Sequence, residues 1–270
     1  MVSNDQRRRQ LAREKFLRQQ QRRESARRKA RTRNTVIASA LAVVVVAGAG
    51  AFAAGAFDGK DTKDSAASKP SASPSKAADP CAKPAAGKVK SLSWKKEPAL
   101  TIDKSADYTM NLATTCGAIG IDLKTKEAPH TVNSFNFLAG KGFFDHTKCH
   151  RLTTNGIYVL QCGDPKGTGA GGPGYTIPDE NLKDKSLKGN VYPAGTIAMA
   201  NTGQKHTGGS QFFLVYQDSQ LPPSYTPFGT ISDSGMKVLK KIAAAGESTG
   251  QGDGAPNATV VIDKATVKKS

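Results

Sequence analysis

A chain of 270 residues holds one or two domains, and its formal charge of +17 would suit nucleic acid or anionic lipid if it were spread evenly. It is not. Residues 1–34 hold thirteen Lys/Arg against three Asp/Glu, residues 35–90 seven against four, and residues 91–270 nineteen against fifteen. A nucleic-acid reading of the whole chain loses its main support.

The arm, "DQRRRQLAREKFLRQQQRRESARRKARTRN", has almost no large apolar residues and cannot pack a core. After it, Thr35 to Phe57 runs 23 residues without a charge, more than the roughly 20 a helix needs to cross the hydrocarbon. The lack of a polar face and the basic flank argue against a buried core helix. A cleavable signal peptide is the rival, because small residues around Ala51–Ala56 offer A-x-A-like sites. The basic region is longer than a usual n-region, so the expectation is an uncleaved single-pass anchor over 35–57, with secretion after cleavage as the alternative. The basic residues before the span orient the N-terminus to the cytoplasm and the rest of the chain outside it. The arm then faces anionic lipid, at about 1 kcal/mol per basic residue near the surface; nucleic acid is the lesser alternative. Residues 58–90, rich in Ser, Ala, Pro, Lys and Asp, cannot bury enough surface to offset ordering and read as a disordered linker.

Four cysteines, Cys81, Cys116, Cys149 and Cys162, all follow the span. An even number in a disulfide-permissive compartment suggests bridges, and sequence alone does not choose among the three connectivities. His146, Cys149 and His150 in "HTKCH" sit on a loop entering a strand with no paired C-x-x-C, so no metal is expected.

From residue 91 a folded domain is expected. "YTMNLATTCGAIGIDL" alternates around Cys116–Gly117 as a hairpin. "APHTVNSFNFLAG" has Pro129 at its start, Val132, Phe135 and Leu138 three apart, and Gly140 at its end, the marks of a helix. "KCHRLTT", "IYVLQCG", "GTIAMAN" and "SQFFLVY" read as strands. "GMKVLKKIAAAG" reads as a second helix with Met236, Leu239 and Ile242 on one face, and "ATVVIDKATV" as a closing strand. Many short antiparallel strands and two helices imply a mainly β fold, a closed antiparallel barrel capped by the helices. "GTGAGG", Gly167 to Gly172, matches a dinucleotide fingerprint, but Pro173 and Gly174 follow and no helix opens, so no cofactor is expected.

"CHRLTT", "IYVLQCGD", "GTGAGGPGY", "MANTGQKHTGGSQFFLVY" and "FGTI" resemble, in order, the signature segments of cyclophilins, the peptidyl-prolyl cis–trans isomerases. The resemblance covers roughly Ser105 to Val267. It implies an isomerase acting on X–Pro bonds of client polypeptides, here assisting folding of exported proteins. A non-catalytic proline-binding module on the same fold is the alternative. By position it makes Arg151 the catalytic arginine and Gln161 the glutamine that orients it. It assigns Tyr158, Val159, Gly169, Ala200, Asn201, Gln211, Phe213, Leu221 and Tyr225 to the substrate groove, with Phe213, Leu221, Val159 and the Tyr158 ring as the cup for the proline. Phe212 and Phe213 are consecutive on a strand, so only one faces the groove, and His150 reads as structural. On this frame Cys149 and Cys162 flank the Arg151–Gln161 hairpin and pair, which leaves Cys81 for Cys116. The step from Arg151 to Gln161 is longer than in the family pattern, so the hairpin tip is extended. Near Gln220 many members carry a tryptophan that contacts cyclosporin; the sole Trp here is Trp94, which implies weak binding of that drug.

Overall fold

The computed structural model describes residues 78–270. The basic arm, the apolar stretch 35–57 and the linker up to residue 77 lie outside the described residues. Among the described residues no helix is long and apolar enough to cross a membrane.

Alternation builds the first hairpin. In β1 (Tyr108–Thr114) and β2 (Gly117–Leu123), Tyr108, Met110, Leu112, Ile119, Ile121 and Leu123 are buried. The register runs from Tyr108 opposite Leu123 to Thr114 opposite Gly117. Gly117 takes φ +131° at the turn, where a Cβ would stand 2.9 Å from Val238, so glycine is required there.

Helix α1 (Pro129–Gly140) begins with proline in its first turn, where the missing N–H has no intrahelical acceptor to lose. Ala128 supplies no side-chain cap. Instead the carboxylate of Glu180, distant in sequence, accepts from the backbone N of His130 (3.0 Å) and of Thr131 (2.8 Å) and from Thr131 Oγ1 (2.8 Å). A negative charge thus sits on the positive end of the helix. Val132, Phe135 and Leu138 are fully buried, as their spacing predicts.

The chain continues through β3 (Thr147–Lys148), β4 (Arg151–Thr153), β5 (Val159–Cys162), β6 (Val191–Tyr192), β7 (Thr196–Met199), β8 (Phe212–Val215), β9 (Ser219–Gln220) and β10 (Pro227–Ile231). Helix α2 (Asp233–Ala244), β11 (Asp253–Gly254) and β12 (Val261–Lys269) complete it. Helix α2 starts before Gly235 because Ser232 is its cap, its Oγ accepting from Gly235 N (3.2 Å). It buries Leu239 and Ile242, with Met236 half-buried against the core.

Ten strands form one sheet in the order β11-β4-β5-β8-β7-β10-β2-β1-β12-β3, all antiparallel; β6 and β9 pair separately. The sheet curls but is not a closed barrel, which corrects the expectation from sequence. The expected strand through "KCHRLTT" is broken at Cys149–His150 into β3, paired with β12, and β4, paired with β5. Across the break Cys149 N bonds Val260 O and His150 N bonds Gln161 O. One stretch of chain therefore serves both ends of the curl without joining them into a ladder. Nor is β12 a closing edge, since it lies between β1 and β3.

The inner face of the sheet and both helices enclose the main core, including a ring cluster of Phe135, Phe144, Phe212 and Phe228 with centroids 4.6 to 6.0 Å apart. A second, smaller cluster of Val159, Tyr192, Ala198, Phe213 and Val215 lies on the other face of β5, β7 and β8.

Disulfides join Cys81 to Cys116 and Cys149 to Cys162. The first ties the end of the expected linker to the first hairpin, with Ala82 N donating to Thr115 O (2.9 Å), and the segment continues onto β12, where Ala85 N donates to Asp263 Oδ1 (3.0 Å). It bridges a separation of 35 residues, and closing such a loop in the unfolded chain is worth about 3–4 kcal/mol. Cys81→Ala/Cys116→Ala therefore lowers the unfolding free energy by about that amount in a urea titration. An unchanged midpoint would contradict a role for this bridge in stability.

Candidate active site

Register places the expected site residues in one row. Arg151 on β4 stands opposite Gln161 on β5, Gln161 opposite Phe213 on β8, and Phe213 opposite Ala198 on β7. Directly opposed residues share a face, and strands lie roughly 4.8 Å apart, so the row spans about 15 Å. The residues between them, Leu152, Leu160, Leu214 and Ile197, turn into the main core. The same alternation buries Phe212 in that core and leaves Phe213 on the other face.

The polar end of the row is a chain of hydrogen bonds. Both oxygens of Asp253 accept from Arg151, from Nε at 2.7 Å and Nη2 at 2.8 Å. Arg151 Nη1 donates to Gln161 Oε1 (3.2 Å), Gln161 Nε2 to Gln211 Oε1 (2.9 Å), and Gln211 Nε2 to the Gly171 carbonyl (2.9 Å). The two-pronged pairing fixes the plane of the guanidinium. Hydrogen bonding to Asp253 raises the pKa of Arg151 above its ordinary value, and the same bond holds the Asp253 carboxyl below its own. Both groups stay charged through the physiological range.

Asp253 is not apparent from sequence, since it lies 102 residues from Arg151 in a glycine-rich loop. The fold delivers it. Strand β11 pairs with β4, setting Asp253 opposite Thr153. Glu247 braces the preceding loop, accepting from Thr249 N (2.6 Å), Thr249 Oγ1 (2.7 Å) and Gly252 N (2.8 Å). The extended hairpin tip leans on it through Thr154 N to Gly252 O (2.9 Å).

The apolar end of the row is a cup. Phe213 is its floor, with Val159, Ala198 and Val215 beside it and Ile157, Leu187, Ala200, Leu221 and Tyr225 packed around the rim. The Tyr225 ring meets Phe213 edge-on at 5.5 Å. Tyr158 does not join this cup, contrary to the sequence reading. Its ring packs edge-on against Tyr216 at 5.9 Å, and its N–H donates to Ser219 Oγ (2.8 Å). The longer tip folds back through an Asn155–Ile157 bridge, and Ile157 takes the place expected for Tyr158.

Tyr192, also not singled out by sequence, lies fully buried beneath Tyr225. Its hydroxyl donates to Tyr225 O (2.7 Å) and accepts from Tyr225 N (3.2 Å). Burial pushes its phenol up to about 12. A group whose pKa rises on folding stabilises fully below its unfolded value, near 10, and loses that contribution as pH climbs through the folded value. Unfolding free energy should fall between about pH 10 and 12, and Tyr192→Phe should remove part of that slope. Identical slopes in the two proteins would contradict this placement.

Beside the row lies a groove of about 850 Å³, bordered by Gln161 and Gln211 and walled by Gly169, Ala200 and Asn201. Asn201 ties two loops, its Nδ2 donating to Ser224 O (2.8 Å) and its Oδ1 accepting from Gly203 N (2.9 Å). Ala200 N donates to Gln211 O (2.9 Å). The glycine loop wraps the buried carboxylate of Asp164, which accepts from Lys166 N (2.7 Å), Thr168 N (2.9 Å) and Gly169 N (2.7 Å). Burial pushes the Asp164 carboxyl up, but the backbone N–H groups, Gly171 included, hold it below its ordinary value.

A family profile described as "Cyclophilin type peptidyl-prolyl cis-trans isomerase/CLD" matches residues 109–267. A Mycobacterium leprae protein named "Probable peptidyl-prolyl cis-trans isomerase B" is 51% identical over 196 residues, covering 70% of this chain and 62% of that protein. A Mycobacterium tuberculosis protein of the same name is 46% identical over 198 residues, covering 70% and 60%. The chain thus spans about three fifths of the length of these relatives. A Cryptosporidium parvum cyclophilin-type isomerase of known structure superposes with a TM-score of 0.51 at 25% identity, covering 61% of this chain and 99% of that one. A second structure of it was solved in the presence of the dipeptide Ala-Pro. By the profile match, over more than half its length, the chain belongs to the cyclophilin family.

Proposed function

We propose that this protein is a peptidyl-prolyl cis–trans isomerase acting on proline-containing polypeptides. The observation that carries the reading is the single row in which a fixed guanidinium, Arg151, stands two strands from an apolar cup floored by Phe213. The family match and the structure of a similar isomerase solved in the presence of Ala-Pro support the same substrate class.

Rotation about a peptide bond faces a barrier of about 18–20 kcal/mol because the C–N bond has double-bond character. The two isomers of X–Pro are close in energy, yet they exchange over roughly tens to hundreds of seconds. The reaction makes and breaks no covalent bond, so it asks for no nucleophile. It needs the proline held while its neighbour turns, and it needs amide resonance weakened. The cup of Phe213, Val159, Leu221 and Ile157 grips the pyrrolidine ring. A free N–H of Arg151 donates toward the prolyl nitrogen as its lone pair localises, an interaction strongest in the twisted state. Asp253 and Gln161 hold the guanidinium in place for it.

The charge-free stretch 35–57, the basic arm before it and the cysteines after it support placement on the outer face of a membrane. In that setting the arm lies against anionic lipid and the clients are exported proteins. Refolding of a protein limited by a slow X–Pro step tests the function: catalytic amounts of the chain should shorten the slow phase. A slow phase that persists while the chain binds proline peptides would make the groove a grip without catalysis.

A further inference from the structure

The groove beside the row has a wall that comes from outside the family-matched span. Residues 93–97 run along the glycine loop, with Trp94 N donating to Pro173 O (2.8 Å). The Trp94 ring anchors them on Phe137 (5.0 Å) and Phe143 (6.1 Å). The seat is close: a Cβ on Gly174 would come within 2.3 Å of Ser93 Oγ and 2.7 Å of Trp94 O. Lys95 and Lys96 line the groove from this wall, and Lys166 lines it from the glycine loop.

The negative charges nearby are already engaged. Glu97 stands 2.7 Å from His130 Nδ1, and Asp164 is buried against backbone N–H groups. None of the three lysines forms an ion pair among the described residues. Glu97 lines the same groove, so Lys95, Lys96 and Lys166 leave it with a net positive charge where it meets Gln161 and Gln211, next to the proline cup.

Resting on the isomerase reading, we propose that this groove selects clients with acidic side chains on one flank of the X–Pro bond. Extended polypeptide leaving the cup along Gln211 would carry its side chains between Lys166 and the Lys95–Lys96 wall.

The test uses the full chain and peptides with one X–Pro bond, placing Glu, Ala or Lys at each position on either flank. On one flank Glu should raise kcat/KM over Ala roughly three- to tenfold at low salt, and Lys should lower it. The gain should shrink as salt screens the charges. In Lys95→Glu/Lys96→Glu the ratio of Glu to Lys peptides should invert. Equal kcat/KM for the three residues at every position, or a gain on both flanks alike that survives the reversal, would overturn the proposal. If the Ala peptide is not isomerised at all, it is the isomerase reading that has failed. The Kd values of the same peptides then decide the flank preference by the same ratios.

Discussion

Arg151→Ala should lower kcat/KM for an X–Pro peptide by one to two powers of ten, with most of the loss in kcat. A hydrogen bond from a charged donor is worth about 1.5–3 kcal/mol net, and each 1.36 kcal/mol is about tenfold in rate. The loss falls on kcat because the prolyl nitrogen becomes a good acceptor only as the bond twists. Asp253 acts through the arginine, so Asp253→Asn, which keeps one acceptor oxygen, should cost less. In the Arg151→Ala background Asp253→Asn should cost nothing further. Steady-state kinetics on the four proteins closes this cycle, and additive losses would mean that Asp253 acts elsewhere. The pairing also fixes a pH dependence. The Asp253 carboxyl is held low by the hydrogen bond from Arg151. The stability it contributes is fully present above the ordinary carboxylate range, declines as pH falls below that range and is lost once pH has fallen through the lowered value.

Phe213→Ala should damage both affinity and fold. The ring is 5% exposed and meets Tyr225, Tyr192 and the aliphatic side chains of the second cluster. Truncating a buried Phe to Ala typically costs about 3–5 kcal/mol. The cup loses its floor, so peptide affinity should fall together with stability. Phe213→Leu, which refills much of the volume, should recover most of the stability and only part of the affinity. Urea titration and peptide Kd values separate the two effects. Wild-type affinity in Phe213→Ala would show that the proline binds elsewhere.

Features with a short period were legible in the sequence. The two-residue repeat of strands sends Phe212 and Phe213 to opposite faces; the resemblance to the family indicates Phe213 as the one on the groove and Gln161 as the partner of Arg151, and the register sets that pair face to face. Pro129 and the three-residue spacing of Val132, Phe135 and Leu138 mark helix α1. What escaped depends on residues far apart in the chain. Glu180 caps α1, and Asp253 reaches Arg151, only because the fold brings them there; neither sits in a local pattern. The extended hairpin tip folds back through its own Asn155–Ile157 bridge and sets Ile157, not Tyr158, against the cup. The barrel was expected to close because strand patterns do not reveal breaks. Two residues, Cys149 and His150, decide otherwise by switching the chain from one partner strand to another.

The most direct measurement is the exchange rate between the cis and trans forms of a short Ala-Pro peptide, by magnetisation transfer, with the full oxidised chain added in catalytic amount. A guanidinium fixed beside a proline cup predicts faster exchange in proportion to the protein added. A peptide that binds, shown by shifted resonances, yet exchanges at its uncatalysed rate would contradict the assignment of this row as an active site.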